Sequence, residues 1–257
     1  MSKLLVLNPF GTDRYDEVIK EILEPVKRSD TEFDITHLKR GPEYFDFWYF
    51  RQLAEVDVIE EVIKAEQNGY DGVYIACSYE PGVKEAREVV DIPVVGATVP
   101  TVLIACQLGH RFSYFTDSEL AVTNTWDLLR RYGLETRCLS VKSVGLWLDE
   151  IVKKPEENRE RIINLAKKAV QEGADVIILG CTIVAAYLTD IIKTKMLPPE
   201  LTKIAILDSN ICAFKTLELL VDLRVKAGIS VSRKAYYAKP QELKPKDFIR
   251  FRKEYGL

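Results

Sequence analysis

The chain has 257 residues, enough for one large domain or two small lobes, and 47% of them are hydrophobic, an ordinary share for a filled core. Lys and Arg total 36 against 39 Asp and Glu, a net charge of −3, so neither a nucleic-acid footprint nor a charged membrane-binding surface is expected. No apolar run approaches the ~20 residues of a membrane span, and KLLVL at 3–7 is too short for a secretory signal.

In chain order, KLLVLNP (3–9) reads as a buried strand ending in a turn, DEVIKEILEPV (16–26) as a helix and FDITHL (33–38) as an alternating strand. RGPEYFDFWYFRQLAEVDVIEEVIKAEQNG (40–69) begins with six aromatics in seven positions, 44–50, and continues as an amphipathic helix closed by Gly69. GVYIAC (72–77) and IPVVGA (92–97) are strands either side of EPGVKEAREVV (80–90). TVLIACQLG (101–109) is a helix, RFSYFT (111–116) a strand, SELAVTNTWDLLRRYG (118–133) a helix and TRCLSV (136–141) a strand. A long helix, 155–173, then leads to the strands VIILGC (176–181) and KIAILDS (203–209), followed by a helix over about 210–225 and a basic tail, 239–256, read as a solvated face.

One segment occurs twice. KAEQNGYDGVYIACS (64–78) returns as KAVQEGADVIILGCT (168–182) at a constant offset of 104 residues, 64 to 168 and 77 to 181. Strands alternating with helices throughout specify an α/β protein with mostly parallel sheets. The repeat specifies two pseudo-symmetric lobes with a site in the cleft between them. The expected division is 1–98 plus 210–257 for the first lobe and 99–209 for the second, the chain crossing near 97–101 and returning near 209.

The five cysteines are Cys77, Cys106, Cys138, Cys181 and Cys212. An odd number, wide spacing and no CxxC argue against a disulfide framework or a zinc site and fit a reducing cytoplasm. Cys77 and Cys181 occupy equivalent ends of parallel strands, where open α/β sheets bind ligands. A helix expected to begin there supplies free N–H groups and a positive dipole end, which lower a thiol's pKa and hold anions. Ser78 and Thr182 follow the cysteines and suit either helix capping or hydrogen bonding to a substrate carboxylate. Two thiols facing each other suit proton chemistry on opposite faces of one carbon. For Cys106, Cys138 and Cys212 the expected role is packing.

The carrying residues Asn8-Pro9, GYDGVYIACSYEPGVKEARE (69–88), RFSYFTD (111–117) and GADVIILGCT (173–182) resemble the aspartate/glutamate/hydantoin racemase superfamily, in its hydantoin racemase-like branch. The Cys-x-x-acid-Pro-Gly element at 77–82 is the most specific of these, and the set spans most of the chain in the expected order. The resemblance implies a cofactor-independent isomerase inverting a carbon beside a carboxyl or amide carbonyl. One cysteine acts as thiolate base and the other as thiol acid. It also implies that Asn8, Ser78, Thr116 and Thr182 contact the substrate's carboxylate or ring amide. Two departures stand out: the opening turn reads Asn8-Pro9-Phe10-Gly11-Thr12, and the strand over 111–116 ends in Thr116-Asp117 where two hydroxyl residues are usual. Asp117 either repels a substrate carboxylate or binds an amine. A maleate isomerase-like or decarboxylase-like enzyme, and a catalytically silent ligand-binding protein, are the alternatives on the same scaffold.

His37 and His110 are the only histidines, neither is near a cysteine in sequence, and both are read as structural. With no GxGxxG, no GxxxxGK[ST] and no metal-ligand spacing, no metal or organic cofactor is expected. The expected partners are a small-molecule substrate with a carboxylate or cyclic amide and further copies of the chain, a homo-oligomer. The aromatic segment is read as core or dimer interface, or as a roof over the cleft.

Overall fold

The structure, a computed structural model, describes residues 1–146, 150, 155–193 and 197–257. Two four-stranded parallel sheets carry the molecule. In the first, β1 (Ser2–Asn8), β2 (Thr31–His37), β3 (Gly72–Ile75) and β4 (Val94–Val95) lie in the order β2-β1-β3-β4. In the second, β5 (Phe112–Thr116), β6 (Cys138–Ser143), β7 (Val176–Leu179) and β8 (Ala205–Asp208) repeat that order as β6-β5-β7-β8. The central strands are continuous apolar runs because helices cover both faces; Leu4, Val6, Leu7, Val73–Ile75 and Val176–Ile178 are fully buried.

The lobes match residue for residue. Leu4 pairs with Gly72 in one sheet and Phe112 with Val176 in the other, so the offset is 108 residues on the central strand and 104 on its neighbour. The last ladder bond of each sheet is also equivalent: Ala76 N–H donates to Leu7 O, and Gly180 N–H to Phe115 O, both at 2.8 Å.

Helices α1 (Asp16–Leu23), α2 (Trp48–Gln67), α3 (Val83–Val89), α4 (Thr98–Leu108) and α5 (Glu119–Arg131) precede α6 (Pro155–Gln171), α7 (Thr182–Lys193) and α8 (Ser209–Ala227). The tail forms a short turn of helix, α9 (Pro240–Leu243), and α10 (Pro245–Glu254), tied down by the Arg252–Glu60 ion pair to α2. Helix α4 packs on β7 and β8 of the second sheet, whereas α8 packs on β3 and β4 of the first. Leu217 and Val221 of α8 sit where a side chain on Gly72 would project, so that glycine lets the helix close on the sheet. One hydrophobic core runs through both lobes, from Val6 and Ile75 to Phe115, Leu179 and Cys181.

Two local expectations are corrected. Helix α4 starts at Thr98, three residues early, because Pro100 is compatible with a helix's first turn. Helix α2 is not cleanly amphipathic: it buries Arg51, Ala54, Val58, Val62 and Ala65, yet leaves Leu53 and Val56 exposed on the other side. No described helix is long and apolar enough to cross a membrane.

Candidate active site

Both cysteines end central strands at the carboxyl edge of their sheets, and one hydrogen bond joins their loops. Thr182 Oγ1, one residue past Cys181, donates to Ala76 O, one residue before Cys77, at 3.1 Å. Asn210 Nδ2 donates to Thr182 O at 2.8 Å, Asn210 Oδ1 accepts from Tyr74 OH at 2.9 Å, and Ser209 Oγ donates to Gly180 O at 3.0 Å. The loops therefore meet on a frame of buried hydrogen bonds. Charge on Cys77 raises the Cys181 thiol, and all five cysteines are free.

The surroundings of the two thiols differ. Helix α7 begins directly after Cys181, and its Ile183 and Val184 N–H groups point at the sulfur. Cys77 is not followed at once by a helix: α3 begins only at Val83, behind a turn in which Glu80 adopts φ 53°. The Tyr79 N–H serves the Cys77 sulfur in its place. Glu80 is itself buried, and Oε1 accepts the Val99 N–H at 2.8 Å, capping α4. The acid of Cys-x-x-acid-Pro-Gly is thus a helix cap joining the first cysteine's turn to a helix packed on the second sheet.

The expected lowering of the thiol pKa values is overturned by burial. Desolvation pushes Cys77 up to about 12, against the Tyr79 N–H and the Arg51 guanidinium, which pull it down. Desolvation pushes Cys181 well above its ordinary value, and Asp117 adds to the rise. Removing water from an ion in this setting outweighs two or three N–H dipoles. Asp117 bears on both thiols, and Cys77 has in addition the Arg51 cation beside it.

Asn8 is fully buried at the end of β1, its Nδ2 donating to Asp16 Oδ1 at 2.8 Å and its Oδ1 without a partner. Asp16 Oδ2 lies 2.8 Å from His37 Nδ1, so His37 orients the carboxylate that orients Asn8. Thr98 Oγ1 donates to Ser78 O at 2.7 Å, fixing the residue after Cys77 through its backbone. Thr116 Oγ1 donates to Asp117 Oδ1 at 3.0 Å. The hydroxyls of Thr116 and Thr182 each donate to a protein acceptor and keep their lone pairs to accept. The distal cysteines lie elsewhere, Cys106 on α4, Cys138 opening β6 and Cys212 on α8.

The sequence reading missed three residues that crowd the site. Asp46, buried within the aromatic segment, is hydrogen-bonded to Asp117 and accepts from Ser118 Oγ at 2.8 Å. Arg51, 5% exposed, stacks over Tyr79 at 4.2 Å and Trp48 at 4.4 Å, and Nη1 donates to Asn124 Oδ1 at 2.6 Å. Arg51 Nε and Tyr79 OH are buried without a partner. The signal for Arg51 was present: it stands three residues before Ala54 and seven before Val58, on the apolar stripe of α2. The aromatic segment splits. Phe45 is buried against Phe10, centroids 4.8 Å apart, while Trp48 and Tyr49 are exposed.

Burial first, and then Asp46, raise the Asp117 carboxyl to about 7. A carboxyl with a raised folded-state pKa stabilises the fold fully below its unfolded value near 4, and that contribution is lost as pH rises to about 7. The melting temperature of Asp117→Asn, minus that of the parent, is expected to increase from pH 4 to pH 7 and then level off. A difference that is flat throughout would show that Asp117 is ionised in the fold.

The Asp/Glu/hydantoin racemase family model matches residues 4–217. The chain is 31% identical over 255 residues to a hydantoin racemase of Pseudomonas sp. (strain NS671), covering 99% of this chain and 97% of that one. Among solved structures it resembles an allantoin racemase from Pseudomonas fluorescens, with a TM-score of 0.82 and 29% identity over 93% of this chain and 97% of the other. An allantoin racemase from Klebsiella pneumoniae shares the fold, with a TM-score of 0.83 at 23% identity over 93% and 94%.

Proposed function

The chain belongs to the Asp/Glu/hydantoin racemase family, and from that premise we propose that it racemises 5-substituted hydantoins through Cys77 and Cys181. Isomerase activity is the family's; the substrate and the two-cysteine route are our reading. The observation that carries it is the Thr182–Ala76 hydrogen bond, which holds the two cysteine loops against each other with Cys181 in the field of Cys77.

The hydantoin C5 carries one hydrogen, and its neighbouring ring carbonyl accepts the electron pair when that C–H bond breaks. Cys77, as thiolate, takes the proton from one face. The thiol of Cys181 delivers its proton to the opposite face, and the pair ends with its protonation exchanged. The pair carries one proton between its members, so it titrates as a unit. Arg51 beside Cys77 favours Cys77 as the member that holds the negative charge before substrate binds. The unpartnered Oδ1 of Asn8 offers an acceptor to a ring N–H.

The test is deuterium wash-in at C5 from heavy water, with chirality followed in parallel, for hydantoins, free amino acids and maleate. Exchange together with loss of optical rotation from hydantoins is expected. Turnover confined to maleate or to free amino acids would overturn the assignment.

A further inference from the structure

Two hydrogen-bonded relays, Tyr114–Thr98–Ser78 and Tyr74–Asn210–Thr182, each run from a strand of one sheet to the residue after the other sheet's cysteine. In the first, Thr98 Oγ1 donates to Ser78 O at 2.7 Å and lies 2.7 Å from Tyr114 OH. The one hydroxyl hydrogen of Thr98 is used on Ser78 O, so Tyr114 donates to Thr98. Tyr114 stands on β5, and its ring lies against Gly180, the residue before Cys181. In the second relay Tyr74 OH, on β3, donates to Asn210 Oδ1 at 2.9 Å, and Asn210 Nδ2 donates to Thr182 O at 2.8 Å. Thr98 and Asn210 stand in the first turns of α4 and α8, helices that pack on each other. Both tyrosines, Thr98 and Asn210 are buried, none more than 1% exposed. Apolar side chains of the same shape would fill these places at little cost in stability, so what the hydroxyls and the amide supply is fixed distance and direction across a dry interface.

We infer that Thr98 and Asn210 are positioning residues, a pair of struts that set the separation and facing of the Cys77 and Cys181 turns. The Thr182–Ala76 hydrogen bond joins the turns at one point, and a single point leaves each turn free to pivot about it. The struts add a hold on each turn one residue past its cysteine, at Ser78 O and at Thr182 O. Inversion takes a proton from one face and delivers one to the other, so both thiols must be in place at once, and a displacement of ~1 Å costs roughly 100-fold. The inference rests on the two-cysteine reading above, and it adds residues that act through the backbone of the cysteine turns.

The experiment follows racemisation of 5-isobutylhydantoin and 5-benzylhydantoin in heavy water and counts C5 deuterium wash-in per inversion. It compares the full-length parent with Thr98→Val, Thr98→Ser, Asn210→Leu and Tyr114→Phe, at a temperature where circular dichroism shows each to be folded. Thr98→Val and Asn210→Leu are each expected to lower kcat by about 100-fold, and Thr98→Ser, which keeps the hydroxyl, to stay within about threefold of the parent. Tyr114→Phe keeps the Thr98–Ser78 bond and loses only its anchor, so a loss of about tenfold is expected, and this variant decides the matter where Thr98→Val does not fold. With the acid displaced, the base thiol exchanges its proton with heavy water and returns a deuteron to the face it came from, so wash-in per inversion rises severalfold. Loss of folded protein alone lowers wash-in and inversion in proportion and leaves their ratio at the parent value. Parent-like kcat in Thr98→Val or Tyr114→Phe, or a lower kcat at an unchanged ratio, overturns the struts while leaving the racemase reading intact. Failure of the parent to turn over either hydantoin overturns that reading and the struts with it.

Discussion

Cys77→Ser and Cys181→Ser are each expected to lower kcat for racemisation by about a thousand-fold or more, a loss typical of removing a positioned acid or base. Inversion needs a base on one face and an acid on the other, and for the opposite enantiomer the roles reverse. Either variant should therefore fail in both directions. A serine hydroxyl is far less acidic than a thiol, and in this buried site even the thiols are held above their ordinary range. Cys106→Ser, Cys138→Ser and Cys212→Ser should stay within about threefold of the parent rate, since surface or packing substitutions act through stability. Cys138 and Cys212 are buried, so their variants are expected to melt earlier without changing the rate at low temperature. Steady-state rates in both directions for the five variants decide the matter. Near-normal turnover in either Cys77→Ser or Cys181→Ser would exclude a two-base mechanism.

Much of this architecture is written locally. KLLVL, GVYIA and VIILG are apolar without alternation, which is what a strand covered on both faces requires. The repeat alone places Cys77 and Cys181 at matching strand ends. What escaped the sequence depends on how the lobes meet. That Thr182 Oγ1 donates to the Ala76 carbonyl depends on a contact across 106 residues of chain. Asp46 and Asp117 are 71 positions apart in sequence and become neighbours only when the aromatic segment folds over the end of β5. The thiol acidity was misjudged for a related reason: helix termini can be read from sequence, but the depth of burial in the cleft cannot.

The repeat also conceals an asymmetry with chemical content. Duplication supplied two equivalent cysteines, but a racemase in which both thiols had identical surroundings would have no preferred resting site for its charge. Arg51 reaches Cys77 from α2 and is anchored on Asn124 of α5. Asp117 follows β5, on the other lobe, and disfavours charge on Cys181 and on Cys77 alike. Neither residue has a like-charged counterpart at the matching position of the other copy, where Pro9 answers to Asp117 and Pro155 to Arg51 at the 108- and 104-residue offsets.

Gly180→Ala is expected to destabilise the protein by about 3 kcal/mol or more, at the upper end of overpacking costs, although alanine occupies the same place in the other lobe. At position 180 a β-carbon would lie 1.9 Å from the Tyr114 ring, whereas Ala76 is accommodated and fully buried. The reason lies one strand away. In the first sheet Val6 pairs with Tyr74, and in the second Tyr114 pairs with Ile178. Each sheet thus carries one buried tyrosine, but on neighbouring strands, and the ring of Tyr114 fills the volume that Ala76 uses in the first lobe. Tyr114 cannot swing aside, because its hydroxyl is bonded to Thr98 Oγ1 at 2.7 Å and its ring is fully enclosed. The residue that must yield is Gly180, next to Cys181, so misplacement of the thiol should accompany the loss of stability. The double variant Tyr114→Val/Gly180→Ala recreates the first lobe's arrangement in the second. It is expected to recover at least about half of the stability lost in the single variant, because residues in contact are not additive. Denaturant unfolding of the two singles and the double closes the cycle. A Gly180→Ala protein as stable as the parent, or a double variant no better than the sum of its singles, would show that the tyrosine is not what keeps position 180 a glycine.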